Sequence, residues 1–248
     1  MASVYDRIGR HYTSTRQAEP RIAAMIRAAL GDVRTVVNVG AGAGSYEPVH
    51  IAVVAIDPSI EMIRQRPPGS APAVLAKAES LPFRSRSFDA AMAVLTMHHW
   101  TSIGAGLAEL QRVATRRIVI LTYDPACSER FWLSRYLPEI IQLDRAHLPT
   151  LDQLQGWLGE MQIRSVPIPR DCRDGFQGAF WQRPEAYLNP AVRRGISSFA
   201  KLPFDVVERG LSNLADDLRS GRWESVFGHL RMQDTADLGY RLVVASLE

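Results

Sequence analysis

Cysteine is scarce. The 248 residues hold two, Cys127 and Cys172, far apart and without metal-ligand spacing. That excludes a disulfide framework and a thiolate zinc site, and it fits free thiols in a reducing compartment. Long apolar runs are missing too, and no stretch approaches the ~18 residues of a membrane span. The opening "MASVYDRIGRHY" lacks the apolar core of a secretory signal. The expectation is a cytoplasmic protein with no membrane partner. Nor is charge of one sign concentrated. There are 29 Lys and Arg against 26 Asp and Glu, a formal charge of +3, and the basic residues are scattered. This argues against a nucleic-acid partner. No internal repeat or low-complexity tract is present, and the oligomeric state is not legible.

What is present is ordinary globular composition, 46% apolar and 22% charged. The length suits one α/β domain with a sizeable core and an added lobe. Apolar residues at helical spacing predict a helix over 18–30. Short β-branched or small-residue runs predict strands at 35–39, 51–56, 73–78, 87–95 and 117–123, with helices at 58–66 and 102–114 between them. Helical patterns follow at 126–146 and 150–160, then strands at 163–169 and 240–247. The 70 residues from 170 to 239 between these are mostly helical in pattern. Alternating strands and helices predict a mostly parallel sheet with helices on both faces. Ligands in such sheets bind outside the carboxyl ends of the strands. The segments to search are therefore 40–46, 57–62, 78–83, 95–100 and 122–126.

After the first strand stand Gly40, Ala41, Gly42, Ala43 and Gly44. A dinucleotide fingerprint would place its third glycine at position 45, where the chain has Ser45. The G-x-G-x-G spacing lets backbone pass close under a ligand, although glycines also simply make turns. The second strand ends at Asp57, seventeen residues after Gly40. An acid there can accept both hydroxyls of a ribose, or cap the helix that starts at Pro58. After the third strand, Glu79 or Ser80 could reach an adenine or face water. The fourth strand runs into "LTMHHW".

Taken in order, "VVNVGAGAGSYE", "VVAIDPSIEMI" and "AKAESLPFRSRSFDAAMAVLTMHHW" resemble the class I S-adenosylmethionine-dependent methyltransferases, in the small-molecule group typified by methyltransferase type 11 domains. The resemblance is strong over 35–125 and looser beyond. It implies a Rossmann-like fold with a seven-stranded, mostly parallel sheet and a helical insertion before the last strand. It also implies S-adenosyl-L-methionine as cofactor. Gly40, Ala41, Gly42 and Gly44 would lie beneath the methionine part. Asp57, with Pro58 beside it, would hold the ribose. Ala78, Glu79 and Ser80 would lie beside the adenine, and Met62 would pack on its face or simply in the core. Leu95 would approach the sulfonium. "YDRIGRHYTSTR" resembles the family's lid segment, in which Tyr12 and Arg16, four apart, could close over the cofactor. Arg16 could meet the methionine carboxylate.

Two features depart from the family pattern. Asn38 stands where the family usually has Asp or Glu, two residues before the first glycine. Only "SYEPVH", residues 45–50, separates the last glycine from the second strand, whereas a parallel crossover normally needs a dozen residues or more. The first crossover should be cut to a single helical turn, with Pro48 limiting it further.

The implied reaction is methyl transfer, in which the protein mainly positions cofactor and acceptor. An oxygen acceptor also calls for a base. His98 and His99, after the fourth strand, are the candidates, since an ordinary imidazole titrates near neutrality. Either could instead pack with Trp100 or cap the next helix. The aromatic-rich "DCRDGFQGAFWQRPEAYL" suggests part of a small-molecule pocket or a packed subdomain. The expected organisation is one domain over 1–248, with an N-terminal helical lid at 1–30 and a helical substrate cap at 170–239. The expected partner is a small, partly apolar or aromatic molecule. The alternatives are an RNA or protein acceptor, or a fold that binds the cofactor without methyl transfer, as a cyclase scaffold or sensor.

Overall fold

The computed structural model describes residues 16–247. Tyr12 and the first half of the expected lid lie outside the described residues. The first helix among the described residues is α1, Pro20–Leu30, whose Glu19 cap accepts from the Arg21 amide. Strands β1 (Thr35–Val39), β2 (Ala52–Asp57), β3 (Ala73–Leu75), β4 (Phe88–Val94) and β5 (Ala114–Tyr123) follow, with helices α2 (Ile60–Arg64) and α3 (Ile103–Val113) between them. Helices α4 (Leu133–Tyr136), α5 (Glu139–His147) and α6 (Leu151–Leu158) lead to strand β6 (Met161–Ser165). The strand order is β3-β2-β1-β4-β5-β9-β6, where β9 is Tyr240–Ser246. All neighbours up to β5 are parallel, and β9 runs antiparallel to both β5 and β6. The seven-stranded, mostly parallel sheet is the one expected.

The period-two alternation of strands sorts their side chains into two cores. Val36, Ala90, Met92 and Val119 face one core, with Ile22, Ile26 and Leu30 of α1. Val37, Ala91, Ala93 and Ile118 face the other, beneath Leu107 and Leu110 of α3 and Leu154 of α6. The two faces of the sheet are thus both covered, which explains why its central strands read as nearly continuous apolar runs.

Several elements differ from the sequence reading. The first crossover has no helical turn. Residues 42–50 form successive turns, such as Gly44 N–H donating to the Ala41 carbonyl at 2.9 Å. Buried Tyr46 fills space on the sheet there. The segment 126–146 is not one helix. It begins as a 3-10 stretch, Pro125–Arg130, and breaks again at Pro138, where a proline cannot continue a helix interior. Strand 163–169 is also two pieces, β6 and the two-residue β7, Ile168–Pro169. Only Ala73–Leu75 of the third expected strand is paired.

β7 pairs antiparallel with β8, Thr235–Ala236, through Ile168 opposite Ala236. The Arg170 amide donates to the Asp234 carbonyl at 2.9 Å just beyond that ladder. This two-stranded clasp ties both ends of the insertion. Between them, 170–183 has little regular helix. Helices α7 (Pro190–Arg194), α8 (Ser197–Lys201), α9 (Phe204–Arg219) and α10 (Arg222–Phe227) follow. Trp132, Trp181, Tyr187 and Trp223 anchor the insertion, each buried, with the Trp132 indole N–H donating to the Trp181 carbonyl at 2.7 Å. No helix among the described residues is long and apolar enough to cross a membrane.

Candidate functional site

The glycine loop leaves β1 at a point where backbone must approach backbone. Gly40 N–H and Ala41 N–H both donate to the Ile56 carbonyl, at 2.8 and 2.9 Å. Gly40 has φ +72°, and a Cβ there would lie 1.9 Å from Thr96 Oγ1. Gly42, at φ +53°, donates its N–H to Asp57 Oδ2 at 2.8 Å. Asp57 Oδ1 accepts from the Ser59 amide, also at 2.8 Å, so the carboxylate caps the turn into α2. Both uses suggested by the sequence are compatible, because Asp57 also lines the cavity beyond the loop.

That cavity is about 590 Å3 and lies outside the carboxyl ends of β1 to β4. Its size falls within the ~300–1,000 Å3 of small-molecule sites. Gly40, Ala41 and Gly42 form part of its floor, and Met62 and Pro58 stand beside Asp57. Ala78, Glu79, Leu95, His98, His99 and Arg16 also line it. Two expected residues are not brought there. Ser80 is exposed, away from the cavity lining. Gly44 serves the loop itself: a Cβ there would meet Arg66 and Glu47 at 3.0 and 3.2 Å. Glu79 spends one carboxylate oxygen on the Thr101 and Ser102 amides, at 2.5 and 3.0 Å.

Asn38 is buried, and its Nδ2 donates to Glu47 Oε1 at 3.2 Å. Glu47 Oε2 in turn accepts from Arg66 Nη2 at 2.6 Å. The short crossover therefore supplies a carboxylate next to the position where the family usually carries one. Arg66 balances its charge, and the pair is almost fully enclosed. In the sequence Asn38 and the short link stand apart as two departures; in the structure they form one hydrogen-bonded chain.

Arg16 also has a partner the sequence did not suggest. Its Nε donates to Asp174 Oδ1 at 2.6 Å, and Nη2 donates to Oδ2 at 3.3 Å. Asp174, in the insertion, is fully buried and also accepts from Tyr46 OH at 2.8 Å. Burial, then the charge of Asp174, pushes the Tyr46 phenol upward. This network ties the start of the described chain, the first crossover and the insertion together at the cavity wall.

Leu95 has φ +50°, a conformation that bulky residues adopt only when surrounding contacts enforce it. It lines the main cavity and also a smaller pocket of about 90 Å3. Arg16, His98, His147 and Lys201 are shared by the two spaces as well. The smaller pocket reaches Asp144, Phe176, Tyr123 and Tyr240. Of the aromatic residues noted in 171–187, Phe176 faces this pocket, whereas Trp181 and Tyr187 are core.

The His98 and His99 rings lie with centroids 3.8 Å apart, their planes tilted by 51°. Both residues are half-buried and line the cavity. Burial pushes the His98 imidazole well below its ordinary value, helped by the nearby His99 and Lys201. Burial, with Lys201 next, pulls His99 down to about 3. Both rings are neutral at pH 7 and are weaker bases than an ordinary imidazole. Asp144 shows the opposite effect. Burial raises it to about 6, against the Ser128 hydroxyl and Lys201.

The fit to an S-adenosylmethionine-sized ligand is good. Positions 40 and 42 keep the floor open by lacking a side chain, and an acid stands at the end of β2. No cluster of His, Cys, Asp and Glu suited to a metal ion occurs among the described residues.

Comparison with known proteins agrees with this geometry. A family model described as a methyltransferase domain matches residues 37–119. A crystal structure from Anabaena variabilis, described as a methyltransferase from an antibiotic biosynthesis pathway, is 32% identical. It covers 94% of this chain and 99% of its own, with a TM-score of 0.87. A Haemonchus contortus phosphoethanolamine N-methyltransferase, solved with S-adenosylhomocysteine, shares the fold at a TM-score of 0.56 and 13% identity. That match covers 93% of this chain and 53% of the nematode chain. The Xenopus tropicalis tRNA (carboxymethyluridine(34)-5-O)-methyltransferase alkbh8 is 32% identical over 116 residues. These are 44% of this chain and only 18% of the frog protein. With the glycine loop, the acid after β2 and the sheet order in place, the chain belongs to the class I methyltransferases that use S-adenosylmethionine as cofactor.

Proposed function

We propose that this enzyme methylates a small, partly apolar or aromatic molecule. The observation that carries this reading is that the 90 Å3 pocket adjoins the main cavity, with Leu95, His98 and Lys201 lining both. The pocket is built by α5, α8 and the irregular start of the insertion, and its walls combine aromatic rings with a few polar groups. That composition suits a small molecule. In this reading the 170–239 insertion is the acceptor cap.

S-adenosylmethionine supplies an activated methyl group on a sulfonium. The chain's residues bind and orient. The loop at Gly40–Gly42 would hold the methionine part, Asp57 would accept from the ribose, and Ala78 and Glu79 with Met62 would hold the adenine. Arg16, held by Asp174, lines both spaces. His98 and His99 stand where a base would, but as neutral, weakly basic rings they serve better as walls that exclude water.

The test is distribution of label. Tritium from methyl-labelled S-adenosylmethionine should appear in components of a metabolite extract below about 1 kDa, the size of ligand such pockets hold. Label in bulk tRNA or protein instead would overturn the reading. The frog relative makes tRNA the acceptor class to include.

A further inference from the structure

Two side chains of opposite charge from different elements line the 90 Å3 pocket, beside Arg16, His98 and His147: Asp144 of α5 and Lys201, the last residue of α8. Asp144 Oδ2 accepts from Ser128 Oγ at 3.1 Å. Lys201 Nζ donates to the His98 carbonyl at 3.4 Å, a long contact that leaves most of its donor capacity unused. Each feels the other's charge, yet no ion pair joins them among the described residues. The rings of Phe176, Tyr123 and Tyr240 complete the walls.

A group entering between a carboxylate and an ammonium must present a proton to one and a lone pair to the other. A hydroxyl does both. A protonated amine meets the like charge of Lys201, and a carboxylate meets that of Asp144. Lys201 also lines the cofactor cavity. A second cation near a sulfonium is unfavourable unless an anion lies with it, and an acceptor oxygen losing its proton is such an anion. Of the other neighbours, Arg16 is paired with Asp174, His98 is uncharged at neutral pH, and the His147 ring lies with Nδ1 at 2.9 Å from the Leu143 carbonyl of its own helix.

Resting on the small-molecule reading above, we propose that this pocket takes the acceptor as a hydroxyl, an acidic one such as a phenol or enol, between Asp144 and Lys201. Asp144 receives the hydroxyl proton and Lys201 holds the oxyanion. An oxygen lone pair then forms the new bond to the methyl carbon. The carbon–sulfur bond breaks with its pair retained by sulfur, leaving a neutral thioether, and the proton passes from Asp144 to solvent. Burial, which raises the Asp144 carboxyl to about 6, brings it nearer to the operating pH that a general base needs.

The experiment measures binding of three one-ring probes to the protein saturated with S-adenosylhomocysteine. The probes are 4-nitrophenol, benzylamine and benzoate, titrated by calorimetry. The wild type should prefer 4-nitrophenol by at least about tenfold, or ~1.4 kcal/mol, and the bound dye should be more ionised, by its absorbance, than free dye at the same pH. Lys201→Met should abolish that ionisation and improve benzylamine binding. Asp144→Asn should improve benzoate binding. Purely structural roles would weaken all three probes together, and that result overturns the proposal. So would equal or tighter wild-type binding of benzylamine or benzoate, or no binding of any probe while S-adenosylhomocysteine binds normally. Label found in tRNA or protein would instead sink the small-molecule reading.

Discussion

Replacing Asp57 by asparagine separates two duties of one carboxylate. Its oxygens accept from the Gly42 and Ser59 amides, both at 2.8 Å, and it is 8% exposed. Asparagine keeps the shape but has one acceptor oxygen, so its NH2 group must face one of the two amides. An unsatisfied buried donor costs about 1–3 kcal/mol, and that cost appears in the stability of the free protein. Ligand binding should suffer separately. A hydrogen bond to a charged acceptor contributes ~1.5–3 kcal/mol, so losing the charge opposite a ribose should weaken S-adenosylhomocysteine roughly 10- to 100-fold. Calorimetric titration gives the affinity, and urea unfolding without ligand gives the stability. If stability falls while affinity stays within about twofold, Asp57 is only a turn cap and the ribose assignment is wrong.

Gly40→Ala should abolish measurable cofactor binding by calorimetry. Its Cβ would collide with Thr96 Oγ1 at a backbone angle that disfavours side chains; unchanged affinity would contradict the floor assigned to this loop. Asp174→Ala leaves Arg16 and Tyr46 without their buried partner. Breaking such a pair costs about 3–5 kcal/mol, so the unfolding free energy from urea titration should drop by that order, and a loss below about 1 kcal/mol would mean the network contributes little. The raised carboxyl of Asp144 sets a pH dependence. The folded state binds this proton more tightly than the unfolded chain, so the group's contribution is most favourable below about pH 4 and is lost as pH rises through about 6. Asp144→Asn should therefore gain roughly 1–3 kcal/mol relative to wild type at pH 8 compared with pH 4, measured by urea unfolding at both values. A pH-independent difference would refute the burial of that charge.

The parts legible in the sequence are those whose function fixes a local spacing. Gly40 and Gly42 must lack side chains where β1 meets Thr96 and Met62, and Asp57 must end β2, so loop and acid appear as a readable string. The strand order follows from alternating periodicities in the same way. The rest is assembled from distant segments. Asp144 and Lys201 share no spacing. They meet because α5 and α8 both reach the open end of the sheet, and Tyr240 arrives on an antiparallel strand. Glu47 could have been suspected, since an acid in an unusually short crossover lies within reach of Asn38. From the sequence the histidines are ordinary imidazoles. Their environment, which lowers them, is a property of the closed cavity and not of "MHHW". Pro138 and Pro167 stand where the expected helix and strand break, within apolar patterns that hide the breaks.

The central claim is that the cavity above Gly40–Gly42 holds S-adenosylmethionine through its ribose and methionine ends. Calorimetric titration of the wild-type protein with S-adenosylhomocysteine and with NAD tests it most directly. The account predicts saturable one-to-one binding of S-adenosylhomocysteine and no heat from NAD. Absence of the first, or displacement of S-adenosylhomocysteine by NAD, would contradict it.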